Sequence, residues 1–174
     1  MSKSKQEQFL ALYDPIHDRF ERFCRARAFG NMEFRDLMND TLLVAFEKFD
    51  SLRSEGAFLS FLCGISVRIL GNYHQKKKED RIQSEEKVFA NRDNHADAQR
   101  DADVYFLYQA MSKLNDEQKE AVILFEITGF SIKEIAQIQQ ASESAVKQRL
   151  KRGRKRLTDI LTVSYTHLRA HETQ

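Results

Sequence analysis

Residues 131–157 read SIKEIAQIQQASESAVKQRLKRGRKRL, and the signals in this stretch decide the fold. Ser131 followed three residues later by Glu134 is a capping box, in which each side chain satisfies the other residue's backbone amide. A short helix therefore starts here, with Ile132, Ile135 and Ala136 facing inward. Ser142 caps a second, longer helix. At roughly 100° per residue, Leu150, Gly153 and Leu157 lie within about 40° of Val146, and together these four form a core stripe. Ser144, Lys147, Gln148, Lys151 and Lys155 point away from it, and Arg149, Arg152 and Arg156 occupy the remaining flank. A short helix, a turn of about four residues and a longer helix make a helix-turn-helix, whose second helix enters the major groove of DNA.

Seven of the ten positions from Lys147 to Arg156 are Lys or Arg. By itself such a run is explained as the solvated face of a terminal helix. The capped helix before it, the spacing and the flank that carries the charge favour contact with DNA instead. Rows of Arg and Lys straddle phosphates, while Ser142, Glu143, Ser144 and Gln148 in the first turn approach base edges. Gln140 stands where glycine usually relieves a left-handed backbone, so the turn carries a small strain.

Working outward, Asn115 with Gln118 three residues on, and Asp116 and Glu117 between them, predicts another capped helix start. That helix buries Ala121, Val122, Leu124 and Phe125 and stops at Gly129. Before it, Val104, Leu107, Tyr108 and Met111 mark one more helix. At the other end of the chain, Phe9, Leu12, Ile16, Phe20 and Phe23 recur at helical spacing, with Asp14-Pro15 as a helix start or mild kink and Gly30 as the stop. A helix over about 34–49 places Leu37, Thr41, Val44, Ala45 and Lys48 on one side. A third, over about 57–77, is buried through Phe58, Phe61, Leu62, Ile65 and Ile69. Between the two groups, KKKEDRIQSEEKVFANRDNHADAQRDAD (76–103) is almost without apolar residues and reads as a flexible polar linker.

The fold class is thus all-α: two small helical domains joined by a flexible linker, the C-terminal one a helix-turn-helix. Composition agrees, because one proline and six glycines in 174 residues leave few turns for a sheet. The net charge of +2 shows that any DNA site depends on local clustering, not on a basic coat. Cys24 and Cys63 have no metal or redox spacing and are expected as buried thiols outside any disulfide. No apolar secretion signal opens the chain and no apolar run reaches membrane-spanning length, so a cytoplasmic protein with no membrane insertion of its own is expected.

LNDEQKEAVILFEITGFSIKEIAQIQQASESAVKQRLKRGRKRL (114–157) resembles region four of bacterial RNA polymerase sigma factors, which reads the −35 promoter element. DLMNDTLLVAFEKF (36–49) and AFLSFLCGISVRILGNYHQKKK (57–78) resemble region two, which binds the polymerase clamp and opens the −10 element. The two in this order resemble the two-domain, extracytoplasmic-function type of sigma factor. The resemblance implies region two over 1–77, a linker over 78–103 and region four over 104–162.

It also implies roles. Asp36, Asn39, Asp40, Leu43 and Phe46 correspond to the polymerase-binding surface. Arg53, Ser54, Phe58 and Phe61 correspond to the pocket for a flipped base, where stacking surfaces and polar edges are needed. Arg68, Asn72, Tyr73, Lys76 and Lys77 correspond to the side facing the −10 DNA, and Ser142, Glu143, Ser144, Lys147, Gln148, Arg149 and Arg152 to the −35 contact. The implied partners are core RNA polymerase, promoter DNA and an anti-sigma factor. The chain departs from the family pattern where Phe46 and Phe61 replace a common Trp, and where Arg68 and Asn72 replace a common Asn and Asp. The latter two changes imply an unusual −10 preference.

No phosphate loop, HExxH or Cys/His ligand set occurs, so neither an enzyme nor a cofactor or metal is expected. His167 and His171 have helical metal spacing, but residues 163–174, VSYTHLRAHETQ, resemble translated sequencing-adapter read-through, and a non-native tail is expected there. An autonomous helix-turn-helix regulator with an N-terminal dimerisation or signal domain is the alternative reading.

Overall fold

The computed structural model describes residues 2–83 and 102–172. Most of the expected linker, 84–101, and the last two residues of the tail lie outside the described residues. Every regular element among those described is helical, and the chain divides into two compact units, Met1–Arg92 and Asp93–Gln174.

In the first unit, α1 (Lys5–Tyr13) opens with a capping box: Ser4 Oγ accepts from the Glu7 amide at 3.2 Å, and the Ser4 amide donates to Glu7 Oε2 at 3.0 Å. The Ser-x-x-Glu pattern lay in the polar opening MSKSKQEQ, where the sequence reading placed no helix start. Pro15 then interrupts the helical run. Asp14–Ile16 tightens into a 3₁₀ turn, and α2 (His17–Ala28) follows. Gly30 adopts φ +79° beyond the end of α2, where a left-handed residue is needed. α3 (Phe34–Glu47) and α4 (Phe58–Gln83) complete the unit.

Phe20, Phe23, Leu37, Leu62 and Leu70 are fully buried where α2, α3 and α4 meet. Val44 and Lys48, expected on the inner side of α3, are half-buried and exposed respectively. Inside the core, Thr41 Oγ1 and Ser66 Oγ lie 2.9 Å apart, and Ser66 also donates to the Leu62 carbonyl at 3.0 Å. These buried hydroxyls are therefore satisfied, which removes the desolvation cost of an unpaired polar group. Cys24 and Cys63 are buried and form no disulfide. Burial pushes the Cys24 thiol well above its ordinary range.

The stretch Glu55–Ile82 is long and apolar enough to cross a membrane by length and composition alone. Its large apolar side chains Phe58, Leu59, Leu62, Ile65 and Leu70 are the core of this unit, so the composition is accounted for by packing. The last turns of α4 run past Lys77 into KKKEDRIQ, whose Lys, Glu, Arg and Gln are good helix formers.

α1 is fastened by Phe9, whose ring lies 5.3–5.5 Å from those of Phe46, Phe49 and Phe58, all edge-on. Edge-to-face geometry at this separation is the favoured arrangement of aromatic quadrupoles. Lys5 adds a contact over the Phe46 ring at 5.1 Å and an exposed pair with Asp50 at 3.4 Å.

In the second unit, α5 (Ala102–Ser112) precedes α6, which runs as an α-helix over Asp116–Val122 and widens into a π-turn over Ile123–Ile127. Asn115 Oδ1 caps α6 by accepting from the Gln118 amide at 2.8 Å. α7 (Ile132–Gln139) carries the expected Ser131–Glu134 capping box, with bonds of 3.2 and 2.8 Å. Gln140 sits at φ 52°, ψ 49°, the one non-glycine residue with positive φ among those described. That conformation costs about 1 kcal/mol relative to glycine. Ser142 Oγ then accepts from the Ala145 amide at 3.1 Å and starts α8 (Glu143–Glu172).

Val146, Leu150, Gly153 and Leu157 are buried, as the periodicity requires. They pack with Ala121, Val122, Leu124 and Ile135 as the core of this unit. At Gly153 there is no room for a side chain: a Cβ there would lie 2.9 Å from Val122 Cγ2 and 3.5 Å from the Gln118 carbonyl oxygen. Leu157 is the last buried residue of α8, and Val163, Tyr165 and Leu168 beyond it are exposed.

Two stability experiments test this packing. Phe9→Ala should cost about 3–5 kcal/mol, read as a lower unfolding midpoint of the first unit; a change below about 1 kcal/mol would mean that α1 is not part of the core. Gly153→Ala improves helix propensity by about 1 kcal/mol but overpacks at a cost of about 1–3 kcal/mol, so a net loss is expected. In a Val122→Ala background the clash is gone and the same change should stabilise. Equal effects in both backgrounds, by urea unfolding, would rule out the close approach.

Candidate nucleic-acid interface

The second unit presents the basic helix as an exposed surface because its apolar stripe is spent on α6 and α7. Ser142, Glu143, Ser144, Lys147, Gln148 and Arg152 are all exposed. Ser144 and Gln148 stand one turn apart on the outward side, with Lys147 and Lys151 beside them. The first turn therefore offers short polar groups, and the later turns offer cations, which matches a helix end inserted between two phosphate rows.

Arg149 departs from this pattern. Its side chain is only 20% exposed. Nη1 donates to Gln139 Oε1 at 3.0 Å, and Nη2 lies 3.4 Å from Glu117 Oε2. Arg149, expected as a DNA contact, thus has its guanidinium engaged within the unit. Arg154 is engaged as well: its Nε and Nη2 donate to Glu126 Oε1 at 2.9 and 2.6 Å, and its guanidinium lies 4.9 Å from the Phe125 ring. Of the seven cations in the run, Lys147, Lys151, Arg152, Lys155 and Arg156 remain as exposed side chains without an acidic group drawn toward them by these contacts. Nothing in the helical period separates Arg149 and Arg154 from their neighbours; the acids that engage them are 28 or more residues away.

In the first unit, α3 turns Asp36, Asn39, Asp40, Leu43 and Phe46 outward, all exposed. Leu43 is 66% exposed and Phe46 38%, so this face combines acids with uncovered apolar surface. Phe46 is not a separate knob, since Phe9 and Lys5 brace one side of its ring. The sequence reading placed neither residue near this face.

Between α3 and α4, the segment carries two single 3₁₀ turns, Phe49–Ser51 and Glu55–Ala57. Arg53 and Ser54 are exposed here. Phe58 is not: at 2% exposure, with its ring edge-on to Phe9 and Phe49, it offers no face for a base to stack on. Of the two expectations for Phe58, a buried side chain of the helix and a lining of the base pocket, the structure shows the first. Phe61 is half-buried, 6.4 Å from Phe58 and stacked with it. On α4, Arg68, Asn72 and Lys76 lie at successive four-residue steps and are exposed, while Tyr73 and Lys77 are half-buried, with Lys77 Nζ 5.9 Å from the Tyr73 ring.

Among the described residues, His17, Asp18 and Glu21 bring possible metal-ligand atoms within 4.8 Å of one another. Both ring nitrogens of His17 are drawn to neighbours, Nδ1 to Tyr13 Oη at 2.9 Å and Nε2 to Glu21 at 3.7 Å. The Tyr13 hydroxyl, pushed up to about 12 chiefly by burial, stays neutral in this arrangement.

These surfaces can be compared with those of known proteins. The family described as "Sigma-70, region 4" matches residues 107–157, which span most of α5 through the buried stripe of α8. The ECF RNA polymerase sigma factor SigM of Mycobacterium tuberculosis is 27% identical over 153 residues, which cover 88% of this chain and 76% of SigM. Among solved structures, the sigma factor RpoE in complex with the anti-sigma factor NepR, from Bartonella quintana, superposes with a TM-score of 0.72 at 23% identity, covering 91% of this chain and 96% of that one. CnrH in complex with the cytosolic domain of CnrY superposes with a TM-score of 0.69 at 21% identity, covering 91% and 90%. The helix-turn-helix of the second unit thus matches the sigma-70 region 4 model, and the chain as a whole is similar to an extracytoplasmic-function sigma factor.

Proposed function

We propose that the protein is a sigma factor: a dissociable subunit that binds core RNA polymerase and directs promoter recognition and melting at the start of transcription. One observation carries this reading beyond a DNA-binding regulator. The chain that bears the region 4 helix-turn-helix also displays, on α3, an exposed acidic and apolar face built from Asp36, Asn39, Asp40, Leu43 and Phe46. Such a face suits a basic, partly apolar helical partner, and the resemblance assigns it to the polymerase clamp.

In this reading residues 1–77 act as region two, 78–103 as the linker and 104–162 as region four, with 163–174 taking no part. Arg53, Ser54 and Phe61 border the base pocket, and Arg68, Asn72, Tyr73, Lys76 and Lys77 approach the −10 DNA. The −35 element is read by Ser144 and Gln148 while Lys147 and Arg152 hold phosphates. The protein acts in the cytoplasm, where polymerase and promoter DNA are found. It performs no chemistry of its own; binding energy for the separated strand is what it supplies. An anti-sigma factor is proposed as a further partner, as NepR is for RpoE in its solved complex.

Purified chain mixed with core polymerase should form a stable complex and start transcripts at defined promoters. If DNA is bound selectively but no complex with polymerase forms, the autonomous regulator is the correct reading. Within the complex, Lys147→Glu should abolish −35-dependent binding, measured by footprinting, while association with polymerase survives. Loss of polymerase binding in that variant would mean that the two faces are misassigned.

A further inference from the structure

Arg149 was expected to touch DNA with Lys147 and Arg152, yet it sits in a network that joins three helices. Gln139, the last residue of α7, donates through Nε2 to the Glu117 backbone carbonyl and to Glu120 Oε1, both at 3.1 Å. Its Oε1 accepts from Arg149 Nη1 at 3.0 Å, and Arg149 Nη2 reaches Glu117 Oε2 at 3.4 Å. Glu120 is buried at 6% exposure. One amide and one guanidinium thus tie α6, α7 and α8 together, and the planar fork of Arg lets one side chain reach two acceptors at once.

The position of this network adds an independent observation. Gln139 directly precedes Gln140, whose left-handed backbone turns the chain from α7 into α8 without the help of glycine. Residues persist in such conformations when their surroundings over-determine them. The Gln139 amide, held by α6 on one side and α8 on the other, is that surrounding constraint. The buried stripe sets which face of α8 turns outward, and this network adds a second tie on the same rotation, close to Ser144 and Gln148.

We propose that Arg149 is a positioning residue for promoter selectivity: through Gln139 and Glu117 it fixes the orientation of the recognition helix, and it does not hold a phosphate. This rests on the region 4 reading of the second unit. The two roles differ in what they do to DNA binding. A phosphate contact adds about 0.9 to the slope of log affinity against log salt and acts equally on all sequences. A positioning residue acts on the ratio between the preferred sequence and others and leaves the slope alone.

The test uses the full chain with core polymerase and a preferred duplex selected from a random library. All variants are compared at a temperature where circular dichroism shows them folded. Arg149→Met and Gln139→Leu should each lower the ratio of preferred to scrambled duplex by roughly tenfold, the worth of one good base contact, with the salt slope unchanged. Arg149→Lys should fail to rescue, because an ammonium cannot span both acceptors. The double variant should be no worse than either single one. Lys147→Ala, the control, should lower the slope by about 0.9. The proposal is overturned if Arg149→Met lowers the slope and Arg149→Lys restores it, or if the ratio stays unchanged in the folded variants. A wild-type complex that selects no duplex would instead refute the promoter-reading function. A thermal double-mutant cycle between Arg149 and Gln139 needs no DNA, and additive effects there would also overturn the coupling.

Discussion

The approach of α8 to α6 at Gly153 is the constraint on which the second unit depends. With room for no Cβ between Gly153 and Val122, the two helices sit closer than larger side chains permit, and Val146, Leu150 and Leu157 seat around that point. Rotating α8 by one residue would put Arg152 or Arg154 against Val122, at the cost of burying an unpaired charge. The recognition surface is therefore the complement of the buried stripe. What faces outward is decided by what must face inward.

The first unit reaches an analogous result with aromatics. Phe20, Phe23 and Phe58 fill the centre, and Phe9 closes the edge by bracing Phe46, Phe49 and Phe58. Because the core is satisfied by these rings, Leu43 and half of Phe46 can stay uncovered beside Asp36 and Asp40. An exposed apolar residue alone needs no explanation. Two next to a row of acids, on a helix whose other side is fully packed, form a surface suited to a partner.

Charge in this protein has two uses that local sequence does not distinguish. Lys147, Lys151 and Arg152 are exposed, whereas Arg149 and Arg154 meet Glu117 and Glu126. The Arg154 pair is half-exposed, so its contribution to stability is small. Arg149 is more enclosed and donates to Gln139 Oε1, which makes it part of the scaffold. A count of basic residues therefore overstates the cations available to phosphate.

The sequence by itself determined the helical class, the capping boxes at Ser131 and the caps at Asn115 and Ser142, and the buried stripe of α8. These follow from contacts three or four residues apart, which the helical period places on one face. The left-handed turn at Gln140 was legible for the same local reason. Only the tertiary structure decided that Phe58 packs edge-on against Phe9 and is closed to a base, that Arg149 and Arg154 are tied to acids on α6, and that Lys5 and Phe9 brace the face bearing Phe46. Each of these joins residues about 28 to 49 positions apart, and no period along the chain records which distant helix a side chain will meet. The opening Ser4–Glu7 box was local and legible too; it was hidden by the polarity of its surroundings, since without Phe9's partners nothing in MSKSKQEQ marks a helix worth capping.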